Sequence, residues 1–73
     1  MIRFKIHSDS PDENYIELTA LLKATRLAQT GGHAKLMVEE GLVVVNGKPE
    51  ARKRAKLRPG DVVEIQGEKI ILE

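Results

Sequence analysis

The 73-residue chain contains no cysteine and no tryptophan, and Phe4 and Tyr15 are its only aromatics. Without cysteine it can form neither a disulfide nor a thiolate metal site, and two scattered histidines make neither a metal site nor a catalytic pair. No metal or cofactor is therefore expected, and the missing cysteine fits a reducing compartment. The core must be aliphatic. No apolar run approaches the roughly 20 residues that cross a bilayer, and the first ten residues lack the apolar stretch of a signal peptide. No membrane association is predicted, and the expected location is the cytoplasm. The sequence also lacks a Ser-His-Asp set, a phosphate loop and paired carboxylates in an apolar setting, so no enzyme is expected. At this length the chain allows one domain, 1–73, of modest stability.

What is abundant is charge, and it is sorted. The chain carries 12 Lys and Arg against 11 Asp and Glu, a net +1. Residues 8–20 hold Asp9, Asp12, Glu13 and Glu17 with no cation, and residues 61–73 hold Asp61, Glu64, Glu68 and Glu73 against Lys69. Between two turn signals, Asn46-Gly47 and Pro59-Gly60-Asp61, lie Lys48, Arg52, Lys53, Arg54, Lys56 and Arg58 against Glu50 alone, a local +5. Most charge runs are merely solvated surface. This one flanks a rigid hairpin, is not interleaved with acids at pairing distance, and sits in a chain whose ends are acidic. That pattern is the footprint of a polyanion site. In an extended segment Arg52, Arg54 and Lys56 would point one way and Lys53 the other, so the first three are the predicted main row.

Periodicity places these charges on an α+β frame. Ile2, Phe4 and Ile6 alternate with Arg3, Lys5 and His7, which predicts a half-buried strand over 1–7. A polar turn-rich loop follows over 8–12. Leu18, Leu21 and Leu22 mark one face of a helix over 17–24, with Glu17 near its positive end. Thr30 is a plausible cap for a second helix over 30–40, whose apolar face is Ala34, Met37 and Val38 and whose stop is Gly41. Val43, Val44 and Val45 lead into Asn46-Gly47, a strong hairpin signal, and Pro49 confines the returning strand to an edge. Val62, Val63 and Ile65, a turn at 66–68, and Ile70, Ile71 and Leu72 complete the strands. The predicted fold is two helices packed on a small, mostly antiparallel sheet.

The stretch Thr30-Gly-Gly-His-Ala34-Lys-Leu-Met-Val-Glu-Glu-Gly41-Leu-Val-Val-Val45-Asn46-Gly47, followed by Arg58-Pro59-Gly60-Asp61-Val62-Val63, resembles the S4-type RNA-binding domain. That family's pattern is a small polar residue often followed by Arg, then Ala, Gly seven residues on, Val-x-Val-Asn-Gly, and a Pro-Gly-Asp turn. Its αL motif would cover about 17–65. The run Glu50-Ala-Arg-Lys-Arg-Ala-Lys56 looks like the small stand-alone bacterial S4-like proteins. The chain departs from the pattern at Gly31, where many S4 domains carry Arg, so no contact of that Arg can be carried over. Gly31-Gly32 then reads either as an opening for phosphate onto free amides or as a tight helix entry.

The resemblance implies a non-catalytic protein that binds structured RNA, a stem-loop or junction, with ribosomal and transfer RNA as candidates. It places contacts near the second helix start, at Gly31, Gly32, His33 and Lys35. The basic run adds Lys48, Arg52, Lys53, Arg54, Lys56 and Arg58, and Arg26 stands level between a contact and a cation that complements the first helix's dipole. Two aromatics near the N-terminus give little material for a stacking platform, so recognition of phosphate and shape is expected rather than reading of unstacked bases. The protein is expected to be a monomer. The competing class is a protein-binding adaptor that docks an acidic partner.

Overall fold

A computed structural model describes residues 1–6 and 14–73. The predicted polar loop over 8–12, the seventh residue of the predicted first strand and three of the N-terminal acids lie outside the described residues. The observed order is β1 (Ile2–Phe4), β2 (Ile16–Glu17), α1 (Leu18–Ala24), α2 (Gly31–Glu39), β3 (Val43–Val45), β4 (Lys48–Pro49), β5 (Lys56–Leu57), β6 (Val62–Ile65) and β7 (Glu68–Leu72). The α+β expectation is met: two helices pack against a five-stranded sheet ordered β1-β7-β6-β3-β4. Only the β1–β7 pair is parallel.

α1 has seven residues, too few to be helical alone in water. Packing supports it: Leu18, Leu21 and Leu22, spaced three and four apart, are wholly buried. The helix starts one residue later than its periodicity predicts. Glu17 belongs to β2 and occupies the N-cap position in extended conformation, without a side-chain capping bond. The chain stops being helical at Thr25, whose hydroxyl donates to the Leu21 carbonyl at 2.9 Å.

α2 is capped as the sequence predicts. The Thr30 hydroxyl accepts from the His33 amide at 3.1 Å. Ala34, Met37 and Val38 face the core. At the other end Gly41, at φ +74, donates to the Val38 carbonyl, and Leu42 donates to that of Met37. These are the two bonds of a Schellman motif, whose αL residue glycine adopts without a Cβ clash.

Two-residue turns set the sheet register. Asn46 and Gly47 have φ of 51° and 83°, the paired positive values that match the right-handed twist of a hairpin. Pro49 falls on β4, an edge strand, as its missing amide requires. One face of the sheet contributes Val43, Val63, Ile65, Ile70 and Leu72 to the buried cluster, and α1 and α2 contribute the rest. No described helix is long and apolar enough to cross a membrane.

Candidate functional site

The basic segment is not a strand, as the parity argument assumed. Residues 52–55 form a turn in which the Ala55 amide donates to the Arg52 carbonyl at 3.2 Å, and beyond Pro49 only Lys56–Leu57 of the run is a strand. Alternation of faces therefore does not decide where these cations point. The turn does so instead, and it is fastened to α1. The amides of Leu18 and Thr19, in the helix's first turn, donate to the carbonyls of Ala55 and Lys53 at 2.9 and 3.3 Å. Backbone carbonyls thus supply the cap that Glu17 does not, and the same bonds fix the cationic turn against the helix pair. Ala55 and Leu57, both buried, anchor it from below.

Two shallow depressions flank this turn. One, of about 460 Å³, is bordered by Glu17, Thr19, Gly31, Lys35, Lys53 and Arg54, and so joins the start of α2 to the basic turn. The other, of about 470 Å³, opens toward the hairpin and is bordered by Lys48, Arg52 and Lys56 among others. Arg52, Arg54 and Lys56 border a third hollow with Ala55 between them. The predicted grouping of these three is thus found, although a turn produces it. Lys53 borders only the first depression, which it shares with Arg54.

Arg26, Gly32, His33 and Arg58 border none of these depressions. Arg26 takes a left-handed conformation, φ 63°, in the tight link between the helices. His33 Nδ1 accepts from the Gln29 amide at 3.2 Å, and its own amide serves the Thr30 cap, so this side chain organises the helix entry. A Cβ on Gly31 would meet Lys23 Cδ at 3.8 Å and one on Gly32 would meet Thr30 Oγ1 at 3.9 Å, both ordinary contacts. Neither glycine has a positive φ. The tight-entry reading of this pair therefore has no steric basis in the fold.

Acids come closer to the cations than the sequence suggests. Arg52 Nε pairs with Glu50 at 2.7 Å, Lys53 Nζ with Glu39 at 2.5 Å, and Arg54 Nε with Glu17 at 3.8 Å. The expectation that these positives lack acids at pairing distance is corrected: Glu17 and Glu39 are distant in sequence and are brought in by β2 and α2. Among the described residues Lys35, Lys48, Lys56 and Arg58 have no such ion pair. The hydrogen bond from Lys53 and then its charge hold the Glu39 carboxyl below its ordinary value; desolvation opposes them, and the charge of Lys35 adds a lesser lowering. The folded value being the lower one, this pairing is complete above the ordinary carboxylate range and is lost as pH falls through the folded value. Its contribution is small because both side chains are substantially exposed, 40% and 48%.

Asn46 and Asp61 are scaffold of a kind the sequence did not reveal. Asn46 Nδ2 donates to Asp61 Oδ1 at 3.0 Å, and Asn46 Oδ1 accepts from the Val62 amide at 2.8 Å. The Asp61 carboxylate also accepts from the Arg58 amide at 2.8 Å. The two turn motifs that bound the basic run are therefore tied to each other, which holds both ends of the strip.

Sequence reasoning also missed Tyr15. It lies beside the basic strip, with Lys56 Nζ 4.9 Å and Arg58 Cζ 5.9 Å from its ring centroid. Its signal was the two-residue ribbon β2–β5, too short for periodicity to reveal.

The frame and the motif order can be matched to known proteins. A Bacillus subtilis (strain 168) protein named "Probable ribosome maturation protein RlbA" is 45% identical over 58 residues, 80% of this chain and 82% of the relative. An Escherichia coli (strain K12) protein named "Putative RNA-binding protein YbcJ" is 38% identical over 56 residues, 77% of this chain and 80% of the relative. The S4 domain family model matches residues 10–73, which takes in both helices, the hairpin and the basic turn. With the αL elements in place in the fold as well, the chain belongs to the S4 domain family.

Proposed function

We propose that this protein is a non-catalytic RNA-binding protein that grips structured RNA by its phosphate backbone. The observation that carries this reading is the cationic turn 52–55, pinned by its carbonyls to α1 and facing the α2 start across a shared depression. Lys35 from α2 and Lys53 and Arg54 from the turn then border one depression, on a surface held in place by the backbone bonds between the turn and α1. Arg52 and Lys56 continue the cationic surface from Arg54, and with Lys48 they line the depression toward the hairpin. Family membership supports RNA over other polyanions, as does a relative named for RNA binding. A relative named for ribosome maturation makes ribosomal RNA the first RNA to test.

Binding led by phosphates releases counterions. If about four phosphates are neutralised, a plot of log affinity against log salt should fall with a slope near −3 to −4 between about 50 and 200 mM. Fluorescence anisotropy with a labelled stem-loop RNA measures it. A flat response would sink the phosphate-led interface. Displacement by unlabelled structured RNA, but not by an equally acidic protein, separates this reading from an acidic-partner adaptor.

The Glu39–Lys53 pair competes with RNA for a cation. Glu39→Gln should free Lys53 and remove one repelling charge, tightening RNA binding about two- to fivefold at low salt. The gain should vanish at high salt, where exposed charges are screened. Unchanged affinity at low salt would mean that Lys53 faces away from the RNA.

A further inference from the structure

β2 and β5 form a separate antiparallel ribbon in which Ile16 pairs with Leu57 and Glu17 with Lys56. Leu57 is buried and Ile16 packs partly against the core, so one face of the ribbon is turned inward. Side chains alternate along a strand, which puts Tyr15, Glu17, Lys56 and Arg58 on the outward face. Lys56 and Arg58 are exposed and Tyr15 is half-buried. Phe4, the chain's other aromatic, packs against the core. Tyr15 is thus the one aromatic available to a ligand, and it stands among cations of the strip on which the proposed RNA interface depends.

We propose that Tyr15, Lys56 and Arg58 form a subsite for one unpaired nucleotide, in which the base stacks on the Tyr15 ring and the two cations take the flanking phosphates. The proposal deepens the RNA-binding reading and rests on it. Both cations already lie over the ring, at 4.9 and 5.9 Å from its centroid. An exposed cation–ring contact is weaker than base stacking on an aromatic, so a base can replace it while the freed cations turn to phosphate. Lys56 also borders the hollow shared with Lys48 and Arg52, which gives the backbone a continuous cationic path past the ring. Glu17, the acid on this face, is directed toward Arg54. A regular A-form duplex keeps its bases stacked inside and offers none to such a platform. The favoured RNA therefore has a bulge or a junction with a splayed base.

Tyr15 is the only tyrosine and there is no tryptophan, so intrinsic emission reports on this ring alone. The full chain is titrated with two RNA duplexes, identical except that one carries a single unpaired uridine. The bulged duplex should quench the tyrosine emission and bind about tenfold more tightly than the blunt one. Anisotropy of labelled duplexes reads the variants, which lack the tyrosine: Tyr15→Leu should abolish that preference and Tyr15→Phe should retain it. Equal quenching and equal affinity for the two duplexes overturn the subsite, as does a preference that survives in Tyr15→Leu. Blunt-duplex binding without discrimination leaves the broader reading standing, whereas binding to neither duplex removes both. Circular dichroism of both variants separates a lost subsite from a lost fold.

Discussion

Lys35→Ala combined with Arg54→Ala should weaken binding to a structured RNA about tenfold or more and make its salt slope shallower by about 2. The two side chains come from α2 and the basic turn, 19 positions apart in sequence, yet they border the same depression. Lys35 has no ion pair among the described residues, and Arg54 is held only loosely, at 3.8 Å from Glu17. Arg52 is a weaker choice of partner because Glu50, whose side chain is only 17% exposed, already binds it at 2.7 Å. Lys5→Ala with Lys69→Ala is the control. Those residues are exposed outside the strip, so removing the same charge there should cost little affinity. Each exposed substitution should leave stability within about 0.5 kcal/mol, which keeps the comparison free of unfolding. Titration of both double variants against one stem-loop decides the matter, and equal losses would show that only net charge counts.

The frame of this protein is legible because its signals are local. Leu18, Leu21 and Leu22 announce a helix by spacing, Thr30 and Gly41 announce the ends of another, and Asn46-Gly47 encodes its own turn through positive φ. The site is less legible because its logic is tertiary. Nothing in the sequence says that the carbonyls of Lys53 and Ala55 will cap α1, or that Glu39 will reach Lys53. The basic run appears nearly free of acids until β2 and α2 deliver Glu17 and Glu39 to it. Tyr15 was hidden for a related reason: its neighbours Lys56 and Arg58 are more than 40 residues away, and the ribbon that joins them is two residues long. Composition counts aromatics but cannot place them. Two turns that read as separate scaffold motifs prove to be one unit, joined through the Asn46 and Asp61 side chains.

Leu18→Ala should have the largest effect on stability, a loss of about 2–5 kcal/mol. A chain of this length is expected to have only about 4–11 kcal/mol in total, from roughly 0.05–0.15 kcal/mol per residue. Leu18 is completely buried, and alanine is an excellent helix former, so helix propensity would not cause the loss. The backbone amide that holds Ala55 survives the substitution, which leaves the cavity as the main term. The melting temperature should fall by roughly 10–30 °C, at about 4–8 °C per kcal/mol for a domain of this size. In urea the midpoint should drop while the slope stays constant, since the surface exposed on unfolding hardly changes. Leu36→Ala is the matched control, because Leu36 is 51% exposed on α2 and should shift stability by less than about 0.5 kcal/mol. Similar losses for the two leucines would mean that α1 does not pack on the core as described. The functional consequence follows from the attachment of the basic turn to the first turn of α1: where the Leu18 variant is partly unfolded, RNA at about 100 times its dissociation constant should restore about 2.7 kcal/mol. The same RNA should restore markedly less to a variant that also carries Lys35→Ala and Arg54→Ala, because the folded state then binds it more weakly.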